Sequence, residues 1–165
     1  MTIIVNHRDL ARRELQHYER QKSLAKAVEK GALSKLPGGK RHPHQRRVAE
    51  ATLVEAARRL AQVNFSPVSN FDSLYTLVNH VIGPIKGIGP LAVNDIVHRI
   101  GAYLGHAPDQ VYLHRGALVG ARALGLGGKV VQMHDLPKAF RRLTPAEVED
   151  CLCIYKDDLK RLNAR

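Results

Sequence analysis

Between residues 85 and 96 the chain reads Ile85-Lys86-Gly87-Ile88-Gly89-Pro90-Leu91-Ala92-Val93-Asn94-Asp95-Ile96, and no other segment restricts the fold as much. Two glycines two residues apart permit a tight backbone turn and leave its amides unobstructed. Pro90 is a favoured first helical residue, so the chain passes from the turn directly into a helix. Upstream, Asn70 is a good N-cap, and Phe71, Leu74, Val78, Val81 and Ile82 recur at helical spacing until Gly83-Pro84. Downstream, Ala92, Ile96, Ile100 and Tyr103 form a second apolar stripe that Gly105 ends. The spacing therefore predicts two helices, 71–82 and 90–104, with Ile88 pointing inward between them and Ala92 allowing close approach. The free N–H groups and positive dipole end of the second helix then lie beside the turn. Such a surface accepts a phosphate oxygen without any side chain. Lys86 adds a charge next to it.

Helical periodicity runs through most of the remaining chain, so the expected class is all-α, a compact multi-helix domain spanning 1–165. Arg8 to Lys30 reads as one long helix with Leu10, Leu15, Leu24 and Val28 on a narrow apolar face. A basic loop covers 31–47, broken by Pro37-Gly38-Gly39. Val48 to Gln62 forms a second helix. Pro108-Asp109 is expected to open another, reaching Ala123, in which Gly116 and Gly120 permit close contact with a neighbour. Residues 125–136 are irregular, with Val130-Val131 at most a very short strand. Thr144-Pro145-Ala146-Glu147 is a capping box with proline at the first helical position, and Val148, Leu152, Tyr155, Leu159 and Leu162 follow on one face.

Charge narrows the function. Twenty-six Lys and Arg against 15 Asp and Glu give a net of +11, and 12 of those cations fall in the first 50 residues beside 5 acids. An excess of this size favours a polyanionic partner through phosphate neutralisation and counterion release. Lys40, Arg41, Arg46 and Arg47 form a second candidate contact, and Arg115 and Arg122 share a face of a later helix. Cys151 and Cys153 stand two apart on a helix, which points to neither a disulfide framework nor a zinc pair. His42-Pro43-His44 is half a metal site, with no further ligands at standard spacing, so no metal and no cofactor is expected. The opening run Ile3–Val5 is too short for a signal-peptide core and nothing approaches a membrane span, which fits a cytoplasmic setting without a membrane partner.

The pattern apolar-x-Gly-apolar-Gly with a small residue three beyond resembles the helix-hairpin-helix motif, carried here by Ile85, Gly87, Ile88, Gly89 and Ala92 within 71–104. The resemblance implies sequence-independent contact with the DNA backbone, with Lys86, Gly87, Ile88, Gly89 and Leu91 at the interface. It extends more distantly to the helix-hairpin-helix DNA glycosylases of the endonuclease III type. In that superfamily a catalytic aspartate opens the helix after the motif, and Asp109, twenty residues beyond Gly89, holds the matching place. Strand-cleaving members carry a lysine two residues after the last glycine. Leu91 stands there, so the resemblance implies at most a monofunctional glycosylase. The chain departs from that family in having no tryptophan and no cysteine cluster for an iron–sulfur site. Three readings follow: a non-specific binder of double-stranded DNA, with RNA not excluded; a glycosylase-like repair enzyme; and a protein-interaction module.

Overall fold

The computed structural model describes residues 12–163. Among them the chain is predominantly helical, 61% helix against 4% strand, which agrees with an all-α class. The residues expected to start the first helix, 8–11, and the run Ile3–Val5 lie outside the described residues. The chain divides into two compact units, residues 1–107 and 108–165. Gly105, in the left-handed region at φ 71°, closes the last helix of the first unit shortly before Pro108.

In the first unit α1 covers residues 12–19 and α2 covers Leu24–Ala32. The single long helix expected here is interrupted because Ser23 adopts an extended conformation and caps α2, its hydroxyl accepting from the Lys26 N–H. The expected loop 31–47 accordingly begins later, since Gly31 and Ala32 are helical. Pro37 and Gly38 make a hydrogen-bonded turn in which Gly38 takes φ +84°, the place where a type II turn needs glycine. A short 3-10 turn, Pro43–Gln45, then leads to α3, Glu50–Leu60. The next two helices have the expected limits: α4 is Phe71–Ile82, with an Asn70–Ser73 capping box, and α5 is Pro90–Leu104. Helix α5 packs against α2 and α4, and α3 packs against α2 and α4 in turn. Leu53, Leu60, Phe71, Leu74, Ile82, Ile96 and Ile100 fill the core between them. Gly31 allows the α2–α5 approach, since a methyl there would stand 3.3 Å from the Arg99 Cβ.

The second unit corrects the sequence at its start. Residues 111–112 are a strand, β1, paired antiparallel with β2, Val130–Val131, through Val111 opposite Val131. Helix α6 therefore runs only Arg115–Ala123, with His114 rather than Asp109 at its N-cap. Val111 and Tyr112 are both buried, and a β-branched and an aromatic residue favour the extended pairing. Helix α7, Pro145–Ile154, carries the expected Thr144–Glu147 capping box, and the chain breaks at Tyr155 before α8, Lys156–Asn163. Gly120 is required by the α6–α7 crossing, where a Cβ would collide with the Leu152 carbonyl, as expected of a close helix contact. Val111, Ala117, Ala121, Val131, Leu136, Val148 and Leu152 form the core.

His114 ties this unit together. Its Nδ1 accepts the Gly116 N–H at 3.1 Å, and its Nε2 meets the carboxylate of Glu149 on α7, both side chains being buried. Replacing His114 by Ala removes a cap worth about 1 kcal/mol and strands a buried carboxylate at about 1–3 kcal/mol more. His114→Asn restores the cap alone. Denaturant unfolding should rank stability as parent, then His114→Asn, then His114→Ala; equal losses would mean the cap contributes nothing.

Candidate functional site

The turn between α4 and α5 is built by three glycines with three different reasons. Gly83 follows α4 with no room for a side chain, since a Cβ would lie 2.5 Å from the Asn79 carbonyl. Gly87 takes φ +95° at the third place of the turn Ile85–Ile88, closed by the Ile88 N–H donating to the Ile85 carbonyl at 3.0 Å. That conformation is strained for any residue with a Cβ. Gly89 is the N-cap of α5 at φ −106°, an ordinary value, and a Cβ on it would meet nothing within 4 Å. The cap position prefers Ser, Thr, Asn or Asp, whose oxygen would take a first-turn amide. Here no side chain caps α5, and Pro90 follows at its first position. The amides of Leu91 and Ala92 belong to the first turn, whose N–H groups have no partner within a helix.

The residues expected at this interface divide clearly. Lys86 and Gly87 are exposed, Ile88, Gly89 and Leu91 are half-buried, and Ile85 and Ala92 are buried. Ile88 is thus less enclosed than its expected role as a lock between helices. In the basic segment Lys40, Arg46 and Arg47 are exposed, and among the described residues no ion pair holds them. Arg41 is engaged instead: Nη1 donates to the Val48 carbonyl at 3.0 Å and Nη2 lies 3.4 Å from Glu50. Arg115 and Arg122 sit exposed on α6 of the second unit. Asp109 belongs to the same unit, exposed in a bend two residues before β1. It opens no helix, whereas the resemblance puts the catalytic aspartate at a helix start.

A buried ion network missed by sequence fixes the basic segment against α5. Arg99 is 2% exposed. Nη1 donates to Ser34 Oγ at 2.9 Å and to the Gly31 carbonyl at 3.4 Å, and Nη2 donates to Gln45 Oε1 at 3.0 Å. Glu14 Oε1 lies 3.5 Å from Nε, Asp95 Oδ2 lies 3.9 Å from Nη2, and the Tyr18 ring centre is 5.7 Å from Cζ. Gln45 also donates from Nε2 to Asp95 Oδ2 at 2.6 Å, and His44 Nδ1 is 3.0 Å from the same oxygen. His42 Nε2 faces Glu14 Oε2 at 3.1 Å. Burial alone would raise the Asp95 carboxyl. The His44 and Gln45 bonds and the Arg99 charge outweigh it and hold the group below its ordinary range. Burial likewise pushes the Tyr18 phenol up to about 12, which keeps its hydroxyl a donor to the Lys35 carbonyl at 3.0 Å. The periodicity that located the helices carries no trace of this network, because its members come from α1, α2, the 3-10 turn and α5.

No family model, curated protein or solved structure matches this chain.

Ser34 shows how strongly the network constrains the backbone. Among the described residues it is the one non-glycine with positive φ, 55°, and its carbonyl takes the His42 N–H at 2.8 Å while its hydroxyl takes Arg99. Ser34→Ala should cost about 2 kcal/mol through the lost bond to a charged donor. Ser34→Gly should cost about 1 kcal/mol less, since glycine adopts the left-handed conformation freely. Equilibrium unfolding of both variants checks this; a glycine variant as damaged as the alanine would contradict it.

Proposed function

We propose that the protein binds the phosphate backbone of double-stranded DNA without sequence preference, through a helix-hairpin-helix-like turn at 85–92. The observation that carries this reading is Gly89. Neither its backbone angles nor crowding within the described residues requires glycine there. A small residue is explained if a ligand oxygen must reach the first-turn amides of α5 directly. Lys86 at the turn and Lys40, Arg46 and Arg47 on the segment pinned to α5 supply the surrounding charge. Asp95, which holds that segment through His44 and Gln45, lies about 8 Å along the helix from Pro90 at 1.5 Å per residue.

Backbone amides and lysines recognise phosphate, not bases, so affinity should be similar for unrelated duplexes and fall steeply with salt. If about five phosphates are neutralised, log affinity declines against log salt with a slope near −4.5. Fluorescence anisotropy with two duplexes of different sequence measures both. Binding that is absent at low salt, or flat across a tenfold salt range, refutes the reading. Stronger binding to an RNA duplex would reassign the partner.

Gly89→Ser separates binding from folding. A serine hydroxyl at the N-cap accepts the first-turn amides itself and should stabilise the fold by a few tenths of a kcal/mol. It then competes with phosphate for those donors, and affinity should fall about tenfold, the value of one charge-assisted hydrogen bond. Lys86→Ala should cost about 1 kcal/mol and reduce the salt slope by about one. A stable Gly89→Ser variant that binds DNA like the parent would make the turn purely structural.

A further inference from the structure

His42 and His44 sit on either side of Pro43, which fixes the chain between them at the first position of the 3-10 turn. Their rings meet edge to face with centres 4.5 Å apart. Asp95 comes to them from α5, more than fifty residues away in sequence. One donor atom from each of the three side chains lies within 4.8 Å of the other two, and His44 Nδ1 is already 3.0 Å from Asp95 Oδ2. We propose that His42, His44 and Asp95 form a binding site for a divalent transition-metal ion of the zinc class.

The donor set selects the class. Two imidazoles and one carboxylate suit a borderline ion such as Zn2+, whereas Mg2+ and Ca2+ prefer oxygen ligands throughout. Bonds of about 2.0–2.1 Å in a tetrahedral site place neighbouring ligand atoms roughly 3.4 Å apart. Separations between 3.0 and 4.8 Å reach that value by turning side chains, and His44, with a side chain 52% exposed, has room to turn.

Outer contacts that orient such ligands are also in place. His42 Nε2 faces the Glu14 carboxylate at 3.1 Å, so the neutral ring keeps its proton there and its lone pair on Nδ1. Nδ1 takes the His44 backbone N–H at 3.1 Å, an exposed contact that an ion would replace. Gln45 Nε2 holds the Asp95 carboxylate at 2.6 Å. Carboxylates also stand close to the ligand atoms. Glu14 and Asp95 bring two negative charges against the single positive charge of Arg99, which stands 3.5 Å from one and 3.9 Å from the other. Three protein ligands leave a coordination position for water on the exposed His44 side. The bound ion would clamp the basic segment to α5 from outside, as Arg99 does from within. The site stands on these contacts alone and does not depend on DNA binding.

The test uses the full chain stripped with a chelator and then titrated calorimetrically with zinc chloride. One saturable ion per chain is expected, with a higher melting temperature in zinc than in chelator. His44→Ala should weaken that binding by more than about tenfold, the loss typical even of outer-contact changes. His134→Ala, a control at a side chain 79% exposed in the other unit, should bind as the parent does. Zinc-edge X-ray absorption of the parent should show two imidazoles with oxygen ligands and no sulfur, which needs no variant and so stands even if His44→Ala folds poorly. Absence of saturable binding, unchanged affinity in His44→Ala, or sulfur ligation from Cys151 and Cys153 would each overturn the assignment.

Discussion

A guanidinium enclosed among helices must find acceptors for its donors and charge to balance its own, because an unpaired buried ion costs several kcal/mol. Arg99 meets both needs by collecting partners from four stretches of chain: Glu14 on α1, the Gly31 carbonyl and Ser34 at the end of α2, Gln45 on the 3-10 turn and Asp95 one turn back on its own helix. The arrangement of the first unit follows. Gly31 lets α2 approach the arginine stem, Ser34 accepts a left-handed backbone to present its hydroxyl, and residues 42–45 lie along α5. Replacing the charge by an apolar side chain of similar volume would remove the ties from Ser34 and Gln45 to Arg99, leaving the histidine-bearing segment to the Asp95 bonds of His44 and Gln45 and the His42–Glu14 contact. What the network supplies is position rather than net stability.

That positioning gives the α4–α5 turn its surroundings. The turn itself is local geometry: Gly83 yields space to Asn79, Gly87 supplies a positive φ, and Pro90 starts the helix without a donor to lose. Gly89 stands apart from these because its glycine serves nothing internal. An uncapped helix start with a permissive residue in front of it is a modest loss for folding and a gain for an anion. Cations at 40, 46, 47 and 86 lie in the same unit, and the proposed phosphate contact rests on them together with this local geometry.

Local signals were legible in the sequence and long-range ones were not. Helices α4 and α5 could be read to the residue because their caps are written in single residues: Asn70, Pro90 and Gly105. The Thr144 capping box and the close crossing at Gly120 were equally plain. The break at Ser23 was hidden because Leu15, Leu24 and Val28 continue an apolar rhythm across it. Pro108-Asp109 imitates a helix start, but Val111 and Tyr112 pair with β2, and the helix waits for the His114 cap. The candidate turn was visible from spacing alone. The ion network was not, since a buried arginine on an amphipathic helix has the same sequence signature as an exposed one. His42 and His44 looked like half a site for the same reason: Asp95 reaches them only through the fold.

The most direct test of the account is amide mapping by NMR of the labelled full chain titrated with a short DNA duplex at low salt. Phosphate held by the start of α5 should move the N–H resonances of Gly87, Gly89, Leu91 and Ala92 first and farthest, with those of residues 40–47 following. A titration in which the duplex binds but these four amides stay still, the shifts lying elsewhere, would contradict the central claim.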